Sequence, residues 1–162
     1  MTKSRYWPTA AIAVVTALGV GGLGGALTDL GVWYDALIQP AWKPPDWAFG
    51  PAWTSIFLLC AAAGTVSWLA AENAGQRRTI AVAFAFNALL NLLWSVLFFQ
   101  AQRPDWSLIE VVILWLSVLS LVVICGRVSK LAAVLLLPYL AWVAFASTIN
   151  YGVVQLNGPF GA

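Results

Sequence analysis

Histidine is absent from this 162-residue chain, and methionine occurs only at position 1. Those two gaps remove the usual axial ligands of haem iron and most soft or imidazole metal sites. Charge is scarce too: Asp, Glu, Lys and Arg make up 9% of the residues, against 62% hydrophobic. A soluble domain with that balance would be coated in apolar surface, so the bilayer is the expected solvent. A net charge of +2 offers no basic surface for a nucleic-acid partner. The two cysteines, Cys60 and Cys125, fall inside apolar runs at unlike depths and read as buried small side chains rather than a disulfide. Repeats and low-complexity segments are also missing.

What is present is length in apolar runs. A spanning helix needs about 20 mostly apolar residues, and five such runs follow one another, at about 9–30, 47–71, 79–99, 106–125 and 131–156. They use nearly the whole chain. The expectation is one all-α integral membrane domain over residues 1–162, a bundle of five transmembrane helices in contact with the lipid bilayer. Lys3 and Arg5 before the first run suggest a signal peptide, but the run is too long and no small-residue cleavage site follows, so it is read as a retained helix. Lys3, Arg5, Arg77, Arg78, Arg127 and Lys130 fall on one side and Lys43 and Arg103 on the other. That bias predicts a cytoplasmic N-terminus, with the first loop and the C-terminus opposite.

Local chemistry marks the boundaries. Asp46 is expected to N-cap the second span, with Gly50 and Pro51 in its opening turns. Pro104 and Asp105 make a turn before Trp106, and Ser129 is a cap for the fifth span. Pro138 should kink that span. Loops two to four are short, which predicts antiparallel neighbours.

Between the first two spans lies a connector rich in Trp33, Trp42, Trp47, Pro40, Pro44 and Pro45, running on to Pro51 and Trp53. Indoles favour the membrane–water boundary, so this stretch reads as a rigid interfacial cap over a helix bundle. Chemistry in the bundle must come from polar or aromatic groups facing inward. Asn87, Asn91, Trp94 and Phe98 share one helical face. Trp142, Ala146 and Asn150 repeat the design at four-residue steps, with Tyr139, Phe145 and Ile149 nearby. Each set reads either as interhelical hydrogen bonding that glues the bundle or as the wall of a ligand cavity. Glu110, an acid within a span, is either a functional group or one that reaches water at the boundary. Ala81, Ala85, Ala88 and Leu92 form a smooth stripe suited to a homodimer seam, and Gly21 and Gly25 a small-residue pair.

The order Trp33, Tyr34, Leu37, Pro40, Trp42, Pro44, Pro45, Trp47, Gly50, Pro51, Trp53, then Asn91, Trp94, Phe98, Phe99, then Pro138, Tyr139, Trp142, Phe145, Ala146, Asn150, Tyr151 resembles the TspO family of tryptophan-rich sensory proteins and mitochondrial translocator (peripheral benzodiazepine receptor) proteins. The resemblance covers nearly the whole chain. It implies a five-helix bundle, commonly dimeric, with a pocket beneath the first loop that binds porphyrins and synthetic drug-like ligands and requires no cofactor. By that resemblance the ligand contacts would be Trp33, Trp53, Asn87, Asn91, Trp94, Trp106, Tyr139, Trp142, Ala146 and Ile149. Trp53 and Trp142 match the tryptophans that the family associates with light-dependent porphyrin breakdown, which would make them catalytic. One departure concerns sterols: no basic residue follows Tyr151, where Gly152, Val153, Val154, Gln155 and Leu156 stand, so sterol binding is not expected.

The residues themselves suit a tetrapyrrole, a wide apolar plate with carboxylate tails: indoles can stack on it, and Lys43 and loop amides could receive the tails. Three functions are carried forward. One is a membrane porphyrin-binding sensory or translocator protein, with protoporphyrin IX-like molecules as ligands. A second is a light- and oxygen-dependent porphyrin-degrading enzyme. The third is a transporter of porphyrins or other small apolar ligands, for which the chain lacks a series of intramembrane acids or an inverted repeat.

Overall fold

A computed structural model describes residues 3–161, with side chains from Tyr6 onward. The side chains of Lys3 and Arg5, which entered the charge bias, lie outside the described residues. Five long helices are α1 (Lys3–Leu27), α3 (Phe49–Ala70), α4 (Ala74–Ser95), α5 (Pro104–Gly126) and α6 (Lys130–Asn157); a short α2 (Val32–Asp35) sits in the first connector. All five are long and apolar enough to cross a bilayer, and the chain is a multi-pass membrane protein.

The helices close into a ring in the order α1, α3, α6, α5, α4 and back to α1, with the α5–α6 contact the most extensive. Short connections do make α4–α5 and α5–α6 neighbours. The expectation fails for α3 and α4, which touch sparingly although only residues 71–73 join them. Packing decides this. Ile56 of α3 joins Leu90 of α4, Val111, Leu114 and Val118 of α5 and Tyr139 and Val143 of α6 in one core, and Trp53 of α3 packs its ring on Tyr139 and Trp142, which draws α3 toward α6. A second core, of Ala63, Leu121, Cys125, Ala132 and Leu136, lies on the side of connectors 71–73 and 127–129. Cys125 is buried there and Cys60 half-buried; both are free thiols.

Helix ends follow local chemistry with two differences, at Asp46 and at the end of the first helix. Asn73 accepts from the Gln76 amide at 2.9 Å and caps α4, and Ser129 caps α6 through the Ala132 amide. Pro104 opens α5, where its missing amide costs nothing. Asp46, however, is not a helix cap. A single 3₁₀ turn, Asp46–Ala48, leads into α3, and the Asp46 carboxylate instead accepts from the Tyr34 hydroxyl at 2.8 Å and from Lys43 Nζ. The first helix stops at Leu27 rather than Leu30, with Thr28 turning its hydroxyl back to the Gly24 carbonyl and the Gln100 amide donating to the Leu27 carbonyl. α6 runs as one helix through Pro138. On the alanine stripe, Ala81 and Ala85 face outward, whereas Leu92 lies 3.9 Å from where a Cβ on Gly24 would stand and so leans toward α1.

The end of α4 widens into a π-helical turn, Val96–Gln100, closed by the Ala101 amide donating to the Val96 carbonyl at 2.8 Å. Next to it, Asn150 ties three helices. Its Oδ1 accepts from Trp94 Nε1 (3.2 Å) and Ser107 Oγ (3.0 Å), and its Nδ2 donates to the Pro104 carbonyl at 2.9 Å. Removing that carboxamide takes the partner from Trp94 Nε1 and leaves Ser107 Oγ and the Pro104 carbonyl only each other, while the helix-to-helix ties are lost. Asn150→Leu is therefore expected to lower stability by about 2–4 kcal/mol in denaturant titrations of the micelle-bound protein, and an unchanged midpoint would show that water or neighbouring groups replace the amide.

Candidate functional site

Inside the ring, beneath the connector of residues 28–48, lies a cavity of about 630 Å³. That is a volume suited to a drug-sized ligand. Its walls come from all five long helices, and its roof from Leu30, Tyr34, Gln39, Lys43 and Asp46 of the connector.

One wall is an aromatic cluster built on α3 and α6. The Trp53 and Trp142 rings meet edge-on with centroids 6.3 Å apart, Phe57 stacks on Trp53 at 5.6 Å, and Phe49 meets Trp142 at 5.7 Å. The opposite wall is α4. Trp94 stacks on Phe98 at 5.1 Å, and Phe98 and Phe99 lie 4.8 Å apart. Successive residues of an α-helix point about 100° apart, yet Phe98 and Phe99 both line the cavity. The π turn that carries them allows it, and such turns recur at functional positions.

The third wall is α1, which contributes Leu18 and a run of glycines, with Thr28 just past its end. A Cβ built on Gly22 or Gly25 meets nothing within 4 Å, so these glycines border open space. At Gly21 the same atom would come within 2.8 Å of the Phe57 ring; there the glycine lets α1 and α3 approach closely.

The structure thus brings six of the ten expected contacts to one cavity: Trp53, Asn91, Trp94, Trp142, Ala146 and Ile149. The other four stand elsewhere. Asn87 and Tyr139 lie on the right helix faces but one turn too deep. Asn87 donates to Ser117 Oγ at 2.8 Å, and the Asn91 amide donates to the Tyr139 hydroxyl at 3.3 Å, which, with Tyr139 packed edge-on to Trp53, forms a floor. Trp33 packs edge-on against Phe98, behind the wall. Trp106 faces outward, 50% exposed, with the Arg103 guanidinium 4.2 Å above its ring. Sequence reasoning missed the α1 glycines, Gln39, Phe57 and Phe99. The adjacent aromatics at 98 and 99 were a signal; glycine in an apolar run carries none.

Polar groups at the site are few. At the roof, Lys43 Nζ is paired with Asp46 and lies 5.4 Å over the Tyr34 ring. Burial, and then the hydrogen bond to Asp46, hold the Tyr34 phenol above its ordinary range, so it stays a proton donor. Trp142 Nε1 and both amide atoms of Gln39 are buried without a protein partner. Both residues line the cavity, but these three atoms are themselves covered, so a ligand reaches them only if neighbouring side chains shift. No group of three or more His, Cys, Asp or Glu side chains that could hold a metal ion occurs among the described residues.

Glu110 stands apart from this lining. It is 5% exposed on the buried face of α5, and neither carboxylate oxygen has a partner. It does not reach water. An unpaired charge there would be costly, so the neutral isostere gives up no ion pair or hydrogen bond. Glu110→Gln is expected to keep or raise the thermal unfolding midpoint in micelles; a loss of several kcal/mol would reveal a partner for the charged form.

A family model described as the TspO/MBR family matches residues 11–156. The chain is 40% identical over 157 residues to the tryptophan-rich protein TspO of Chlorobaculum tepidum, covering 92% of this chain and 96% of that one. It is 36% identical over 148 residues to the tryptophan-rich sensory protein of Cereibacter sphaeroides, covering 90% of each. A translocator protein of Sus scrofa is 34% identical over 145 residues, covering 85% of this chain and 86% of that one.

Proposed function

Since the chain belongs to the TspO/MBR family, we propose that it is a membrane receptor for tetrapyrroles, which it holds between the Trp53–Trp142 and Trp94–Phe98 walls. The observation that supports this reading most directly is the cavity's shape and chemistry. It is walled by rings on two sides and bordered by open glycine backbone on a third, with polar groups gathered under the connector. A planar macrocycle gains from stacking and apolar burial on such walls. Its carboxylate tails belong at the connector end, near Lys43, Gln39 and the Tyr34 hydroxyl. Lys43 already has Asp46 as a partner, so a tail has to share that cation.

A dark titration with protoporphyrin IX, followed by tryptophan quenching, tests the reading. Saturable binding is expected in the wild type, weakened by about fivefold to a hundredfold in a Trp53→Phe/Trp142→Phe variant, the weakening of two aromatic contacts worth roughly 0.5–1.5 kcal/mol each. Identical, non-saturable curves would mean partitioning into detergent and would overturn it.

A second reading, light- and oxygen-dependent breakdown of the porphyrin, is favoured by the closeness of two indoles to the same space. Trp53 and Trp142 both line the cavity, and Trp142 Nε1 has no protein partner. It predicts a bilin-like absorbance that grows under illumination in air and vanishes in Trp142→Phe. Product formed equally in the dark, or in that variant, would sink it.

A further inference from the structure

The connector of residues 28–48 roofs the cavity; Trp33 and Tyr34 pack it onto Phe98 and Phe99 at the end of α4, but its hydrogen bonds to the bundle are few. For residues 31–43, among the described residues, the only hydrogen bonds to any of the five long helices are two made by one side chain. Asn157, in the last turn of α6, accepts from the Ile38 amide at 2.8 Å and donates to the Ile38 carbonyl at 2.9 Å, while its other amide hydrogen holds the Val153 carbonyl of its own helix at 2.8 Å. The carboxamide therefore satisfies both backbone groups of a single connector residue. That connector residue stands next to Gln39, which lines the cavity.

Two further contacts fall on the same end of α6. At Gly152, a Cβ would come within 3.0 Å of the Pro40 ring and 3.2 Å of Trp42, so only a bare backbone lets the connector lie this close. Beyond the helix, Phe160 packs against the cluster formed by Tyr34, Phe98 and Val153. Tyr34 and Phe98 are themselves cavity-lining residues. The clasp, the close approach and the aromatic plug all press the connector onto α6.

We propose that the end of α6 and the segment after it form a latch, centred on Asn157, that holds the connector shut and sets how fast a ligand enters and leaves the cavity. The latch residues contribute nothing to the cavity lining except Val153. Loosening Asn157 should consequently change rates far more than the contacts a bound ligand makes. The part concerning ligand exchange rests on the reading of the cavity as a porphyrin site; the part concerning the connector does not.

The experiment is hydrogen–deuterium exchange of the full chain in nanodiscs, comparing wild type, Asn157→Ala and a chain ending at Asn157, with protoporphyrin IX dissociation measured by stopped flow on the same samples. Asn157→Ala removes two hydrogen bonds, so amides of residues 31–43 are expected to exchange about tenfold faster, with protection of α5 and α6 retained. Porphyrin should dissociate faster by a similar factor. Loss of Phe160 in the shortened chain should act in the same direction. Unchanged connector exchange in both variants would overturn the latch even where porphyrin binds. Faster connector exchange with no saturable porphyrin binding in the wild type would keep the latch and remove the porphyrin reading. Should Asn157→Ala lose helix protection as well, the shortened chain, which keeps Asn157, decides the matter through its connector exchange.

Discussion

A polar side chain inside a bilayer has no water to fall back on, and the carboxamide of Asn150 is where this bundle meets that constraint most fully. One residue on α6 holds the indole of Trp94 on α4, the hydroxyl of Ser107 and the first carbonyl of α5. Its consequences run outward from there. With its N–H committed to Asn150, the Trp94 ring is held where it stacks on Phe98. The start of α5 is fixed against α6, which sets the register of Val118, Val143 and Tyr139 in the core below. The cavity is what remains when α4, α5 and α6 are fastened at this point and α1 closes the ring with backbone instead of side chains.

A packed membrane bundle does not normally leave some 630 Å³ empty. Here two local devices keep it open. The α1 glycines supply no atoms to fill the gap, and an Ala or Leu at position 22 or 25 would project into it. The π turn brings Phe98 and Phe99 to the same side and lines the gap with rings that are already packed against each other, so they do not collapse inward. The opposite wall is braced in the same manner, with Trp53 held by Phe57, Tyr139 and Trp142. Rigid rings around a void are a form of preorganisation, because a flat ligand then meets its contacts without first ordering them.

The five spans are legible in the sequence because length and apolarity are all the bilayer asks of them, and their ends err by a few residues where side chains, not hydropathy, decide: Thr28 and Gln100 stop α1, and Asp46 serves Tyr34 and Lys43 instead of α3. Helical spacing also reads the faces correctly. Asn87, Asn91 and Trp94 share a side, as do Tyr139, Trp142 and Ala146. Spacing carries no depth, however, and the cavity floor passes between Asn87 and Asn91 on one helix and between Tyr139 and Trp142 on another. Ring order is equally hidden, since a three-residue connector permits α3 and α4 to diverge once α6 offers α3 a better apolar surface. The misplacement of Trp106 has a different cause. Two residues after α5 begins, its indole gains more from the Arg103 guanidinium and the membrane edge than from the interior.

The balance of forces at the site bears on what it can discriminate. A partly exposed ion pair at the connector, such as a ligand carboxylate sharing Lys43 with Asp46, is worth about 0.2–1 kcal/mol. Apolar burial contributes roughly 25 cal/mol for each Å² removed from water, so a ligand covered over 200 Å² gains about 5 kcal/mol before the costs of association. Shape and flatness therefore outweigh charge in deciding which molecules stay.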